Sequence, residues 1–200
     1  MKFSYQTIKV PVEEIIFKEK GSKFIGYAFP VSDEEETKEK LSDLWKKYPD
    51  ATHICYAYRL GIDGEIYRAN DDGEPSGSAG LPIYNQIVSK EITHVLVASV
   101  RYYGGTKLGV SGLINAYKLS AQMTLEEAEI VEKNLTTRVL FEFSYEHQGS
   151  VMRNIDKFNA EVLKTEFTES CKVEVKIDQR SLDSFLAAFE PLYQVGIKVL

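Results

Sequence analysis

The apolar positions of this chain change period repeatedly, and each change predicts an element. Thr7 to Phe17 and Lys23 to Val31 read as extended segments around the polar turn Glu19-Lys20-Gly21-Ser22, which predicts a hairpin. Ser32-Asp33-Glu34-Glu35-Glu36 is a helix start, with Ser32 or Asp33 as cap and carboxylates at the positive end of the helix dipole. Leu41, Leu44, Trp45 and Tyr48 continue it on one face, and Pro49 stops it. His53 to Leu60 and Glu65 to Ala69 read as paired strands around a turn at 61–64. A helix opens near Pro82, and His94 to Val100 is short, apolar and β-branched, the pattern of a strand buried on both faces. A second helix opens near Ser111 and runs from about Gly112 to Val131.

The pattern then restarts. Thr136 to Tyr145 alternates as a strand, Gln148 to Phe158 is helical, and Ala160 to Phe167 and Lys172 to Ile177 are strands joined by Thr168-Glu169-Ser170. A helix opening at Ser181 and a last strand from Gln194 to Leu200 complete the order βαββαβ, the ferredoxin-like pattern. The restart places a boundary near Glu132 to Leu135, dividing the chain into domains at 1–132 and 135–200. The fold class is therefore α+β.

Between the early hairpins and the second helix lie two glycine-rich loops that cannot fill a core. The first is Asp71-Asp72-Gly73-Glu74-Pro75-Ser76-Gly77-Ser78-Ala79-Gly80, ahead of a helix start. The second is Arg101-Tyr102-Tyr103-Gly104-Gly105-Thr106-Lys107-Leu108-Gly109, at the end of the buried strand. Such loops let backbone come close to a ligand, and a helix that follows can present its N–H groups to an anion. Neither loop has the spacing of a nucleotide-binding P-loop.

Charge divides the region. From Ile92 to Leu125 there is no carboxylate, while Arg101, Lys107 and Lys118 are positive. Asp63, Glu65, Asp71, Asp72 and Glu74 precede them against Arg68 alone. Arg101 and Lys107 can neutralise phosphates, and Tyr102 and Tyr103 can stack on unpaired bases. The structural alternative pairs the cations with Asp71, Asp72 or Glu74 and puts one tyrosine in the core. Reversing the charges of Arg101 and Lys107 together is expected to abolish binding and leave the melting temperature nearly unchanged.

These two loops, in this order and about twenty residues apart, resemble the signature of the YigZ/Impact family. The resemblance covers nearly the whole chain. It implies an amino-terminal domain similar to the second domain of ribosomal protein S5, and a ferredoxin-like carboxy-terminal domain similar to one in translation elongation factors. It also implies a translation-linked role without fixing a target.

The formal net charge of -6 confines any nucleic-acid contact to a local patch. Apolar residues at 44% and charged ones at 27% are globular values. Cys55 and Cys171 lie far apart without CxxC spacing, which argues against zinc and disulfide scaffolds. No run approaches a membrane span and no apolar amino-terminal signal is present, so a cytoplasmic location without membrane contact is expected. His53 and Cys55 share a strand face without a third ligand, which favours packing over metal binding. His94 and His147 open a strand and a helix, and Ser76, Ser78 and Ser111 lack GxSxG context, so no nucleophile meets its base.

The sequence thus reads as a translation-linked regulatory protein, not an enzyme, that binds RNA, the ribosome or a translation factor through the two glycine-rich loops, with no cofactor. Its oligomeric state is not legible. The alternative is an enzyme acting on a nucleotide or small phosphorylated substrate, with magnesium held by Asp71 or Asp72.

Overall fold

In the computed structural model, which describes residues 2–168 and 170–200, the chain divides into two compact units. One runs from Tyr5 to Lys133; the other joins the described residues of 134–200 to residues 2–4. That recruitment of the chain start is not visible in hydrophobic periodicity.

The larger unit is built on a five-stranded antiparallel sheet in the order β2-β3-β6-β4-β5: Val12–Glu19, Ser22–Pro30, Val95–Tyr102, His53–Leu60 and Ile66–Asn70. Helices α2 (Gly80–Ser89) and α3 (Gly109–Glu126) cover one face. Phe24, Cys55, Ile83, Ile87, Val97 and Tyr117 belong to the core they enclose. On the other face, Ile25, Tyr27, Ile54, Leu96 and Val100 form a second core with Leu44 of α1 (Glu34–Lys47). The central strand β6 is buried on both faces through Arg101, as its unbroken apolar run predicts. Each large side chain buried in these layers stabilises the unit by about 1.5–3 kcal/mol.

Asp33 is the cap of α1, its carboxylate accepting from the backbone N–H of Glu35 and Glu36 at 2.9 Å. Glu36 reaches back to the N–H of Ser32 at 2.8 Å, so Asp33 and Glu36 together satisfy three backbone donors at the helix start. Trp45, expected on the inward face, is 41% exposed; Leu44 supplies the buried contact.

The extended segment expected from Thr7 to Phe17 is two strands. β1 (Ser4–Ile8) leaves the main sheet and pairs with β7 (Ile130–Asn134), and only β2 forms the hairpin with β3. The reason is a break at Lys9-Val10-Pro11, where proline lacks the N–H that would continue the ladder. The helix expected from about Gly112 to Val131 starts earlier and stops at Glu126, leaving Ile130 onward to pair with β1. Isoleucine and valine there satisfy either period, and a partner strand decides between them.

The smaller unit has the expected ferredoxin-like order. Strands β8 (Thr136–Phe143), β9 (Glu161–Phe167), β10 (Cys171–Asp178) and β11 (Gly196–Val199) form an antiparallel sheet in the order β11-β8-β10-β9. Helices α4 (Gln148–Lys157) and α5 (Leu182–Ala187) enclose its core with Val139, Phe141, Val173 and Val175. Of the turn expected at Thr168-Glu169-Ser170, Glu169 lies outside the described residues. No helix is long and apolar enough to cross a membrane among the described residues.

Candidate functional site

The first glycine-rich loop is folded around its own carboxylate. Asp71 Oδ1 accepts from the backbone N–H of Ala79 at 2.9 Å and of Gly80 at 2.8 Å, and Oδ2 accepts from Gly77 at 2.8 Å. Burial raises the Asp71 pKa, but these three bonds outweigh it and hold the carboxyl below the usual aspartate range. Asp71 is therefore a remote cap for α2, filling the cradle that the sequence offers to an outside anion. Ser78, buried, closes a turn onto the carbonyl oxygen of Pro75 at 2.6 Å. Gly80 packs on the backbone of Asn70, where a Cβ would lie 2.4 Å from its nitrogen. Pro75 and Ser76 are exposed, and Gly77 has open space where a Cβ would stand.

Asp72 is also engaged. Its carboxylate accepts from the N–H of Ile54 at 2.7 Å, and its carbonyl oxygen lies 2.6 Å from His53 Nδ1. A magnesium ion at Asp71 or Asp72 would have to compete with these backbone bonds.

Glu74 pairs with Arg101, and both side chains are about nineteen-twentieths buried, with 5% and 6% exposure. The Tyr117 hydroxyl donates to Glu74 at 2.8 Å, and Arg101 Nη2 donates to Ser22 Oγ at 3.3 Å. The guanidinium also lies 5.5 Å from the centre of the Phe24 ring and 5.7 Å from that of Tyr103. Its Nε has no hydrogen-bond partner among the described residues. The expectation that Arg101 can be charge-reversed without loss of stability is corrected here: the reversal would bury a second carboxylate against Glu74. Burial pushes both the Tyr117 hydroxyl and the Cys55 thiol well up, so each stays protonated.

In the second loop the residues divide between scaffold and surface. The Tyr102 hydroxyl donates to Asp50 at 2.8 Å, a bond that raises its pKa. Gly104 is taken up internally, since a Cβ there would lie 1.9 Å from the carbonyl carbon of Gly21 in the β2–β3 turn. Tyr103 is 46% exposed; Gly105, Thr106, Lys107 and Gly109 are exposed as well. Gly105 and Gly109 hold φ near +84° and +74° with open space around them, so a side chain is excluded by conformation rather than contact. Lys107 has no ion-pair or hydrogen-bond partner among the described residues.

Glu74 and Pro75 of the first loop and Arg101, Tyr103, Lys107 and Gly109 of the second line a cleft of about 360 Å³ together with His53 and Val110; the remaining predicted site residues of both loops do not line it. Helix α3 opens at its rim, preceded by Leu108 with no side-chain cap and with no acidic residue in its first turn. The N–H groups of its first turn, which have no side-chain cap among the described residues, carry the positive end of an 18-residue dipole. The two helix starts thus differ: α2 is stopped by Asp71, whereas α3 is open. Sequence reasoning set His53 aside as packing and did not single out Thr52, another lining residue. The register that sets His53 opposite Arg101 on β6 is what brings it there, and periodicity carries no such signal.

Residues 20–125 match the Impact N-terminal domain. The chain is 32% identical over 185 residues to the IMPACT family member YvyE of Bacillus subtilis, covering 92% of this chain and 85% of that one. It is 25% identical over 191 residues to the IMPACT family member YigZ of Escherichia coli, covering 94% and 92%. The crystal structure of a hypothetical protein superposes with a TM-score of 0.77 at 23% identity, covering 100% of this chain and 98% of that one, a likeness of fold.

Proposed function

The chain belongs to the IMPACT family, and from that premise we propose that it acts in translation-linked regulation by binding single-stranded RNA, ribosomal RNA in particular, in the cleft at the start of α3. The translation link comes from the family resemblance legible in the two loops. The contact chemistry comes from the cleft.

One observation carries the reading. The cleft offers an unpaired lysine and an open helix start, while Asp71, Asp72 and Glu74 are all engaged within the protein. Glu74 is neutralised by Arg101, and the carboxylates of Asp71 and Asp72 are turned onto backbone N–H groups, which lessens their repulsion of a polyanion at the cleft; Asp63 and Glu65, earlier in the chain, stay exposed and do not line it. Lys107 and the α3 N–H groups suit a backbone phosphate, and the exposed Tyr103 ring suits a stacked base, a contact worth about 1–3 kcal/mol.

Co-sedimentation with ribosomes on gradients at low and moderate salt tests this, with wild type beside Lys107→Glu. Arg101 is left untouched because its charge is structural. Salt-sensitive co-migration is expected for wild type, with loss in the variant; each phosphate contact removed should lower the salt slope by about one. Wild type that stays at the top of the gradient at both salts, or a variant that migrates normally, refutes the reading.

A further inference from the structure

We infer that His53 reads the ribose 2′-hydroxyl of the RNA, making it a specificity residue of the cleft that separates RNA from DNA; this rests on the RNA-binding proposal above. Nδ1 of His53 lies 2.6 Å from the carbonyl oxygen of Asp72. A carbonyl only accepts, so Nδ1 carries the proton, a tautomer assigned from this bond. In the neutral ring Nε2 is then left as an acceptor.

The bond also fixes the ring. Asp72 is itself held by its carboxylate on the N–H of Ile54 and by its own N–H on Asn70 Oδ1 at 2.8 Å. Gly73 follows with φ near +85°, and a Cβ there would already lie 3.5 Å from His53 Cε1. His53 is therefore oriented by the loop beside it, and it has no second hydrogen-bond partner among the described residues.

Its neighbours in the cleft define what it can accept from. Arg101, opposite it on β6, is committed through its two terminal nitrogens to Glu74 and Ser22, with its unpartnered Nε buried, and Lys107 is a donor. A phosphate held by Lys107 and the α3 N–H groups brings the adjoining sugar with it, whatever the base. In RNA that sugar carries the 2′-hydroxyl, a donor that DNA lacks. A fixed acceptor beside a backbone-phosphate contact thus reads the sugar and is indifferent to sequence.

The test is fluorescence anisotropy at pH 8 with three oligouridines of one length: ribo, 2′-deoxy and 2′-fluoro. The fluoro probe keeps a ribose-like pucker but cannot donate. Wild type should bind the ribo probe about fivefold more tightly than either of the others, the worth of one neutral hydrogen bond. His53→Asn keeps a donor near the Nδ1 position and loses the distal acceptor, so it should bind all three alike. His53→Gln places an amide oxygen within reach of the Nε2 position and should restore part of the preference. Equal wild-type affinity for ribo and fluoro probes, or a preference that survives in His53→Asn, overturns the inference. If that equality comes with Lys107-dependent binding, the RNA cleft stands and only the role of His53 falls. Failure of wild type to bind any probe removes both. The probe comparison on wild type decides the matter even if a variant does not fold.

Discussion

At the scale of single residues, the same charge does different work depending on burial. Lys107 is exposed and unpaired, whereas Arg101, six positions earlier in the same loop, is buried against Glu74. Arg101→Ala leaves a buried carboxylate with only the Tyr117 hydroxyl and is expected to cost about 3–5 kcal/mol. Lys107→Glu should stay within about 0.5 kcal/mol of wild type. Urea unfolding of the two variants checks the contrast, and Glu74→Gln with Arg101→Gln should cost less than Arg101→Ala alone. Equal stability of Arg101→Ala and wild type would show that the pair does not hold the loop. The sequence did show that cation and carboxylate could pair; it could not show that Arg101 rather than Lys107 turns inward.

At the scale of elements, glycine-rich loops have two uses that look the same in sequence. Gly104 and Gly21 bring the loop after β6 and the β2–β3 turn into backbone contact, supported by the N–H of Gly104 on Ser22 Oγ at 3.3 Å. Gly105 needs only its left-handed conformation. Gly105→Ala should therefore cost about 1 kcal/mol, the ordinary penalty for a side chain at positive φ. Gly104→Ala should cost more, because a Cβ 1.9 Å from backbone forces two elements apart. Thermal melts of the two variants side by side rank them, and the reverse order would refute this account. The order of helices and strands along the chain was legible in the smaller unit because β8, β10 and α4 have clean apolar periods. The β1–β7 ladder was not, since both strands are short and their partner lies at the far end of the unit.

At the scale of the whole molecule, the cleft and both cores of the larger unit lie between Tyr5 and Lys133. A fragment of those residues is expected to fold cooperatively and to keep Lys107-dependent RNA binding. Ending it at Glu129 removes β7, leaves β1 without its ladder, and should lower the melting temperature. Circular dichroism melts of the two fragments measure this. A molten Tyr5–Lys133 fragment would show that its cores depend on the remaining residues.

What the sequence by itself determined is local: the hairpin turn, the start of α1 at Ser32 or Asp33, the buried run of β6, the βαββαβ order, and the two loops that mark the family. These follow from periods, caps and conformational freedom, which act between near neighbours. The tertiary structure alone decided which loop is open. Asp71 reaches across its own loop to close the start of α2, Glu74 meets an arginine 27 positions away, and strand register carries His53 to the cleft beside α3. Those choices depend on which charges leave water together, and burial is set by the packing of distant segments rather than by the residues themselves.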